Sequence, residues 1–148
     1  MGLGSNLGDR DATIRGALAE LAAADGVDVV SVSTLIDTAP VGYTAQPRFL
    51  NGVALFETRL GPRELLDLLL EVEARFGRDR VGSPPQGPRT LDLDLLLFGD
   101  AELDEPGLRI PHPRLHERAF VLGPLAELEP GLEVPGKGPI QALLAGLH

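Results

Sequence analysis

The chain has 148 residues, 43% hydrophobic and 24% charged, a globular balance that excludes wholesale disorder. Its length suits one domain, residues 1–148, that buries roughly 70% of its unfolded surface. A net charge of -9 argues against non-specific binding of nucleic acid or an anionic membrane, and the lack of cysteine removes disulfides, thiolate zinc sites and cysteine nucleophiles.

In chain order, Met1 to Gly8 reads as the end of a strand or a Gly-rich turn, and Asp9 and Asp11 offer cap and first-turn carboxylates to a helix. Ile14, Leu18, Leu21 and Ala22 carry that helix at 3.6 spacing, and Gly26 closes it. Val27 to Ile36 alternates and is β-branched, which predicts a strand. Thr38 to Pro47 is a loop, and Phe49 to Thr58 a second strand with Phe49, Asn51, Val53 and Leu55 on one face. Pro62 opens a helix whose stripe is Leu65, Leu69, Val72 and Phe76, with Gly77 as its stop. Arg78 to Gly87 is a loop of Gly, Pro and Arg, and Thr90 to Phe98 a third strand. Leu103 to Leu128 mixes short apolar pieces with prolines, and Ile140 to Leu147 predicts a short closing helix. The order (β)αββαβ plus a tail predicts an α+β fold: a ferredoxin-like sandwich, an antiparallel sheet with both helices on one face and the other open, followed by a C-terminal extension.

Apolar runs such as Leu95 to Phe98 are far too short to span a bilayer, and no basic, then apolar, stretch opens the chain. A protein of the cytoplasm is expected. Lys137 is the only lysine among 13 basic residues, so any anion site must be built from guanidinium forks. Gly2-Leu-Gly4-Ser-Asn-Leu-Gly8 has the wrong spacing for a dinucleotide fingerprint and no parallel βαβ behind it; a tight turn before a helix explains it better.

The segment Thr90-Leu-Asp92-Leu-Asp94-Leu carries more information. Strand alternation puts Asp92 and Asp94 on one face, about 7 Å apart from the strand rise. Adjacent carboxylates repel, and a cation between them removes that cost; magnesium is commonly held by one or two carboxylates plus substrate phosphates. On spacing alone a solvated strand face that carries Asp twice is an equal explanation. Arg78, Arg80 and Arg89 tip the balance, because an arginine-bearing loop beside a metal site can cover a polyphosphate and neutralise developing charge. A lone histidine is more often structural than catalytic, but Ile110-Pro-His112-Pro113 fixes the backbone of this one with Arg114 and Arg118 nearby in sequence, and a nucleotide contact is a second reading. Asn51, an amide on a half-buried face beside Phe49, needs a polar partner and suits a flat heterocycle with amide-like edges. As core residues Phe49 and Phe120 need no further explanation.

Gly4-Ser-Asn-Leu-Gly8, Thr38 to Gly42, Gln46-Pro-x-Phe-Leu-Asn51, Gly87-Pro-Arg-Thr-Leu-Asp-Leu-Asp94, Pro111-His112 and Arg118-Ala-Phe120 together resemble the 6-hydroxymethyl-7,8-dihydropterin pyrophosphokinase family of folate biosynthesis. The resemblance covers nearly the whole chain, and GPRTLDLD is its most specific part. It implies transfer of pyrophosphate from ATP to the pterin hydroxymethyl group with release of AMP. Asp92 and Asp94 would hold two magnesium ions, and Arg89 with Arg78 or Arg80 would stabilise the transferring group. Thr38, Ala39, Pro40, Val41, Gly42, Phe49, Asn51 and Phe120 would form the pterin pocket, with the two rings stacking on the pterin. Glu73, Leu95, His112 and Arg118 would line the ATP site. The implied partners are these small molecules, with no nucleic acid or membrane, and a monomer is expected. The family's chains run several residues further ahead of the Gly-Ser-Asn segment. They also often carry Arg with Trp or Asn before Gly-Pro-Arg, where this chain has Pro84-Pro85-Gln86, and a stacking tyrosine where it has Phe49. A non-catalytic ligand-binding domain and a metal-dependent nuclease are the rival classes; the first needs neither paired aspartates nor loop arginines, and the second needs a basic groove.

Overall fold

The computed structural model describes residues 1–5, 9–38, 48–76 and 91–147. Its central sheet is antiparallel, in the order β2-β4-β1-β5: β1 is Gly2–Ser5, β2 Val27–Val32, β4 Phe49–Thr58 and β5 Asp92–Asp94. A short β3, Ile36–Thr38, continues along the β2 side of β4, with Ile36 opposite Asn51 and Thr38 opposite Phe49. The long β4 is therefore the spine, flanked by β2 and β3 on one edge and by β1 on the other.

Two helices cover one face. In α1, Arg10–Ala23, the Asp9 side chain caps the start by accepting from Ala12 N at 3.1 Å, and Ile14, Ala17 and Leu21 face inward. In α2, Pro62–Arg75, proline fills the first turn, where its missing N–H costs nothing, and the Glu64 carboxylate accepts from Gly61 N at 3.0 Å. Leu65, Leu69 and Val72 of α2 join Leu3, Ala54, Leu91, Leu93 and Leu95 of the sheet side in the first core. Fully burying each such side chain is worth roughly 1.5–3 kcal/mol, and this face is the main source of stability.

The second face is not wholly open, which corrects the expectation from the sequence. The hairpin of β6 (Leu103–Glu105) and β7 (Leu108–Ile110) leads through a 3-10 turn at Leu115–Glu117 into α3, Ala119–Leu128. Then come the small β8–β9 pair, Glu133–Val134 with Gly138–Pro139, and α4, Ile140–Ala145. Val121, Leu122 and Leu125 of α3 with Val134 and Ile140 bury Val53 and Leu96, forming a second core. Alternation on β4 divides the strand between the two cores: Ala54 goes to the helix-pair side and Val53 to the α3 side. The Phe49–Asn51 end of β4 stays only half-buried.

Two strands differ from the reading of the sequence. The Val27–Ile36 run breaks after Val32, because Ser33 turns its hydroxyl into the ladder. Ser33 N donates to Val53 O at 2.8 Å, and Ser33 Oγ accepts from Val53 N at 2.9 Å. One residue thus satisfies both main-chain groups of Val53, and the chain is free to bend before β3. Among the described residues the third strand is regular only over Asp92–Asp94, since β1 supplies its ladder opposite Gly2, Leu3 and Gly4. Beyond it Leu95 enters the first core and Leu96 the second.

Candidate active site

The site is a row across the sheet. Asn51 of β4 lies opposite Gly4 of β1, and Gly4 lies opposite Asp92 of β5; Gly2 is likewise opposite Asp94. Cross-strand partners share a face, so Asn51, Asp92 and Asp94 stand on one side of the sheet with two glycines between them. Strands are spaced about 4.8 Å apart, so Asn51 and Asp92 stand about 10 Å from each other over a floor of main chain. That floor must stay bare. A Cβ on Gly4 would come within 2.6 Å of Asn51 Oδ1, and one on Gly2 would touch Leu96 at 3.4 Å. Sequence reasoning took this segment as the end of a strand or a Gly-rich turn; the missed signal is Gly at alternate positions of a strand, which marks close approach of another group.

At the amide end, Asn51 Nδ2 donates to Thr38 Oγ1, which fixes the amide and leaves Oδ1 directed over Gly4. Thr38 and Phe49 are paired across β3 and β4, so three of the residues expected to meet the pterin converge here. Their strand ends are clipped at the surface. Asp37 Oδ1 accepts from Arg48 Nε at 2.7 Å and Asp37 Oδ2 from an Arg10 guanidinium N–H at 3.3 Å, while Arg10 also donates to Arg48 O at 3.0 Å. These hydrogen bonds, Arg48's first, hold the Asp37 carboxyl below its ordinary pKa of 3.8.

At the carboxylate end, Asp92 and Asp94 are half-buried and flank Leu93, whose side chain points into the first core. Glu73, in the last turn of α2, is 2% exposed, and its Oε2 accepts from Leu93 N at 2.7 Å. His112 follows β7; its N–H donates to Leu96 O at 2.8 Å, and its Nδ1 accepts from Arg114 N at 3.2 Å. An accepting Nδ1 places the ring proton on Nε2. Burial, then the charge of Arg118, lowers the His112 pKa against the opposing pull of Asp92, so the ring is neutral at pH 7. Arg118 lies 5.7 Å from the centroid of Phe120, a cation–π distance, so the residues expected for the nucleotide and for the pterin meet here. Leu95 is 7% exposed, and its side chain belongs to the first core. The residues expected at Ala39, Pro40, Val41, Gly42, Arg78, Arg80 and Arg89 lie outside the described residues.

The donor set fits a hard divalent cation. Two carboxylates share a face, and their oxygens are the ligands such a cation takes. Among the described residues no third histidine, aspartate or glutamate joins them in a cluster.

Comparison with known proteins identifies the family. The family model for 7,8-dihydro-6-hydroxymethylpterin-pyrophosphokinase matches residues 1–130. The chain is 46% identical over 143 residues to the 2-amino-4-hydroxy-6-hydroxymethyldihydropteridine pyrophosphokinase of Pseudomonas aeruginosa, covering 97% of this chain and 87% of that protein. It is 47% identical over 126 residues to the protein of the same name from Bacillus subtilis, covering 85% of this chain and 74% of that one. It is also 47% identical over 127 residues to the mitochondrial folate synthesis bifunctional protein of Arabidopsis thaliana, covering 85% of this chain and 22% of that protein. With a family model that spans most of the chain and bacterial relatives this similar over about three quarters or more of their lengths, the chain belongs to the 7,8-dihydro-6-hydroxymethylpterin-pyrophosphokinase family.

Proposed function

We propose that the chain transfers pyrophosphate from ATP to the hydroxymethyl group of 6-hydroxymethyl-7,8-dihydropterin, releasing AMP, as a step of folate biosynthesis. The observation that carries this reading is the row Asn51–Gly4–Asp92: an oriented amide and a carboxylate pair on one face, with no side chain between them. A pterin held at its amide-like edge by Asn51 and against Phe49 and Phe120 sends its substituent along the glycine floor toward Asp92. ATP lies on the other side, near His112 and Arg118. Family membership extends the pocket to Thr38, Ala39, Pro40, Val41 and Gly42, and the nucleotide site to Glu73 and Leu95.

In the reaction the hydroxymethyl oxygen attacks the β-phosphorus of ATP and gives up its proton to solvent, the bond from that phosphorus to the bridging α-phosphate oxygen breaks, and AMP leaves. No protein nucleophile is needed; positioning and charge neutralisation carry the catalysis. Asp92 and Asp94 would hold magnesium, two ions on the family's pattern, which supplies charge neutralisation and alignment of the phosphates with the attacking oxygen. Arg89, with Arg78 or Arg80, would neutralise charge on the transferring group. His112, neutral with its proton on Nε2, can donate to a nucleotide acceptor without adding charge. The order β2-β4-β1-β5, with α1 and α2 on one face, supports a ferredoxin-like sandwich under the C-terminal extension. We take the chain to work in the cytoplasm as a monomer; among the described residues no helix is long and apolar enough to cross a membrane.

The test is AMP release from ATP, with magnesium and 6-hydroxymethyl-7,8-dihydropterin each present or omitted. AMP formed only when both are present is expected. AMP formed without the pterin would defeat the substrate assignment. Pterin binding with no AMP under any condition would make the chain a binding domain.

A further inference from the structure

Between β2 and β3 lies a joint, residues 33–35, after which the chain pairs with β4 again at Ile36. Two of its residues grip β4. Ser33 exchanges hydrogen bonds with Val53, and Leu35 lies so close over Gly52 that a Cβ there would meet its Cδ2 at 2.6 Å. Thr34, between them, is exposed and is held by α3 instead. Glu127, in the last turn of that helix, accepts on its Oε2 from Thr34 N at 2.9 Å and from Thr34 Oγ1 at 3.2 Å.

Both partners are exposed, so water could satisfy either one, and a hydrogen bond at such a place adds little stability. What it adds is direction. Val121, Leu122 and Leu125 seat α3 on Val53 and Leu96 by apolar contact, which is non-directional and holds a helix down without fixing how far it slides along its axis. One carboxylate oxygen taking both donors of one residue, 93 positions away, does fix it. The two elements so joined carry opposite sides of the candidate pterin pocket. Phe120 stands in the first turn of α3, about 10 Å along the axis from Glu127. Thr38, whose hydroxyl accepts from Asn51 Nδ2, ends the strand that Thr34 leads into. Asn51 in turn shares its face of β4 with Val53, the residue that α3 covers.

We infer that Glu127 is a positioning residue for the pterin: by fastening Thr34 it sets α3 against β3, and so sets the gap between Phe120 and the Thr38–Asn51 pair that receives the flat ring. It acts through α3 and β3 and touches neither substrate. The inference rests on the pyrophosphokinase reading and names what fixes the width of its pterin pocket.

Two substitutions isolate the bond. Glu127→Ala removes the acceptor, and Glu127→Gln keeps both reach and acceptor. Four quantities decide. They are hydrogen exchange at the Thr34 amide by two-dimensional NMR, melting temperature, affinity for α,β-methylene-ATP with magnesium, and affinity for 6-hydroxymethyl-7,8-dihydropterin in the presence of both. The ATP analogue cannot be cleaved at the reacting bond, so calorimetry reads binding alone. In Glu127→Ala, Thr34 exchange should speed up about tenfold and pterin affinity fall about fivefold, while analogue affinity and melting temperature stay close to the parent's. KM for the pterin in AMP release should rise to match, with kcat little changed. Glu127→Gln should remain within about twofold of the parent throughout. A merely structural role would lower the melting temperature and weaken both ligands together.

Unchanged pterin affinity in Glu127→Ala with Thr34 deprotected would overturn the inference. So would equal loss in Glu127→Ala and Glu127→Gln, or a loss shared equally by pterin and analogue. If Glu127→Ala does not fold, Glu127→Asp, which draws the acceptor back by one methylene, takes its place with the same expectations. Parent protein that bound no pterin would defeat the pyrophosphokinase reading and this inference with it. Binding by the parent with every variant unchanged would defeat the inference alone.

Discussion

On the carboxylate side of the site, Asp92 and Asp94 sit on a strand braced from within, by a buried Glu73 on the Leu93 amide and by Leu93 in the first core. On the amide side, Thr38, Phe49 and Asn51 sit at strand ends clipped from without, by the Arg10–Asp37–Arg48 cluster at the surface. The first brace is shielded from water and salt; the second is exposed to both. On the proposed reading the difference fits two tasks: placing charges against phosphates would tolerate little drift, whereas a flat ring between aromatic side chains would accept small shifts in its pocket wall.

The largest blow to that picture would come at the carboxylates. Asp92→Ala or Asp94→Ala should lower kcat by about a thousandfold or more while thermal melting stays close to that of the parent, because neither side chain fills a core. Near-normal turnover in either variant would remove the metal assignment. Gly4→Ala tests the floor between the two ends. The added methyl displaces Asn51 Oδ1, so KM for the pterin should rise about tenfold with little change in KM for ATP. Equal damage to both would mean that β1 itself has shifted.

Ser33→Ala removes the acceptor for Val53 N and should destabilise the fold by about 1–3 kcal/mol, read as a lower urea midpoint with an unchanged slope. The smallest effects belong to the surface clip. Asp37→Asn should raise KM for the pterin two- to threefold at low salt, and the gap should close near 1 M salt, about a 3 Å screening length. The same group sets a pH dependence. Its pKa is lowered in the fold, so its contribution is present above the ordinary value of 3.8 and is lost as pH falls through the lowered one. The melting-temperature difference between parent and Asp37→Asn should therefore hold steady from pH 7 to 5 and vanish in stronger acid. A difference that grew in acid would reverse the assignment.

Much of this was legible in the residues. Asp9 and the Ile14–Leu21 stripe marked α1, Pro62 and the leucine stripe marked α2, and strict alternation marked β4, because each of those signals is local. The break at Ser33 was hidden, since a serine that replaces a main-chain partner looks like any polar residue on a strand face. Helix α3 was hidden by Gly123 and Pro124, breakers in isolation that are held in place by burial of Val121, Leu122 and Leu125 against Val53 and Leu96. The site divides the same way. Asp92, Asp94 and Asn51 stood out as polar residues on strand faces. Glu73 came to notice only through a family resemblance, and its contact with Leu93 could not be read at all, because it joins a side chain to a main-chain atom twenty residues away.

The central position of β1 also bears on how the protein is made. Gly2 pairs with Val53 on one side and with Asp94 on the other, so this strand leaves the ribosome well before either partner has been synthesised. The β2–β4 pair and both helices have nearer partners and can assemble while β1 waits. Until Asp94 is translated, the middle of the sheet is unfinished and its main-chain groups can pair wrongly with other chains. Substitutions that slow the docking of β1 should therefore lower the yield of folded protein during rapid expression, even where the finished molecule is as stable as before.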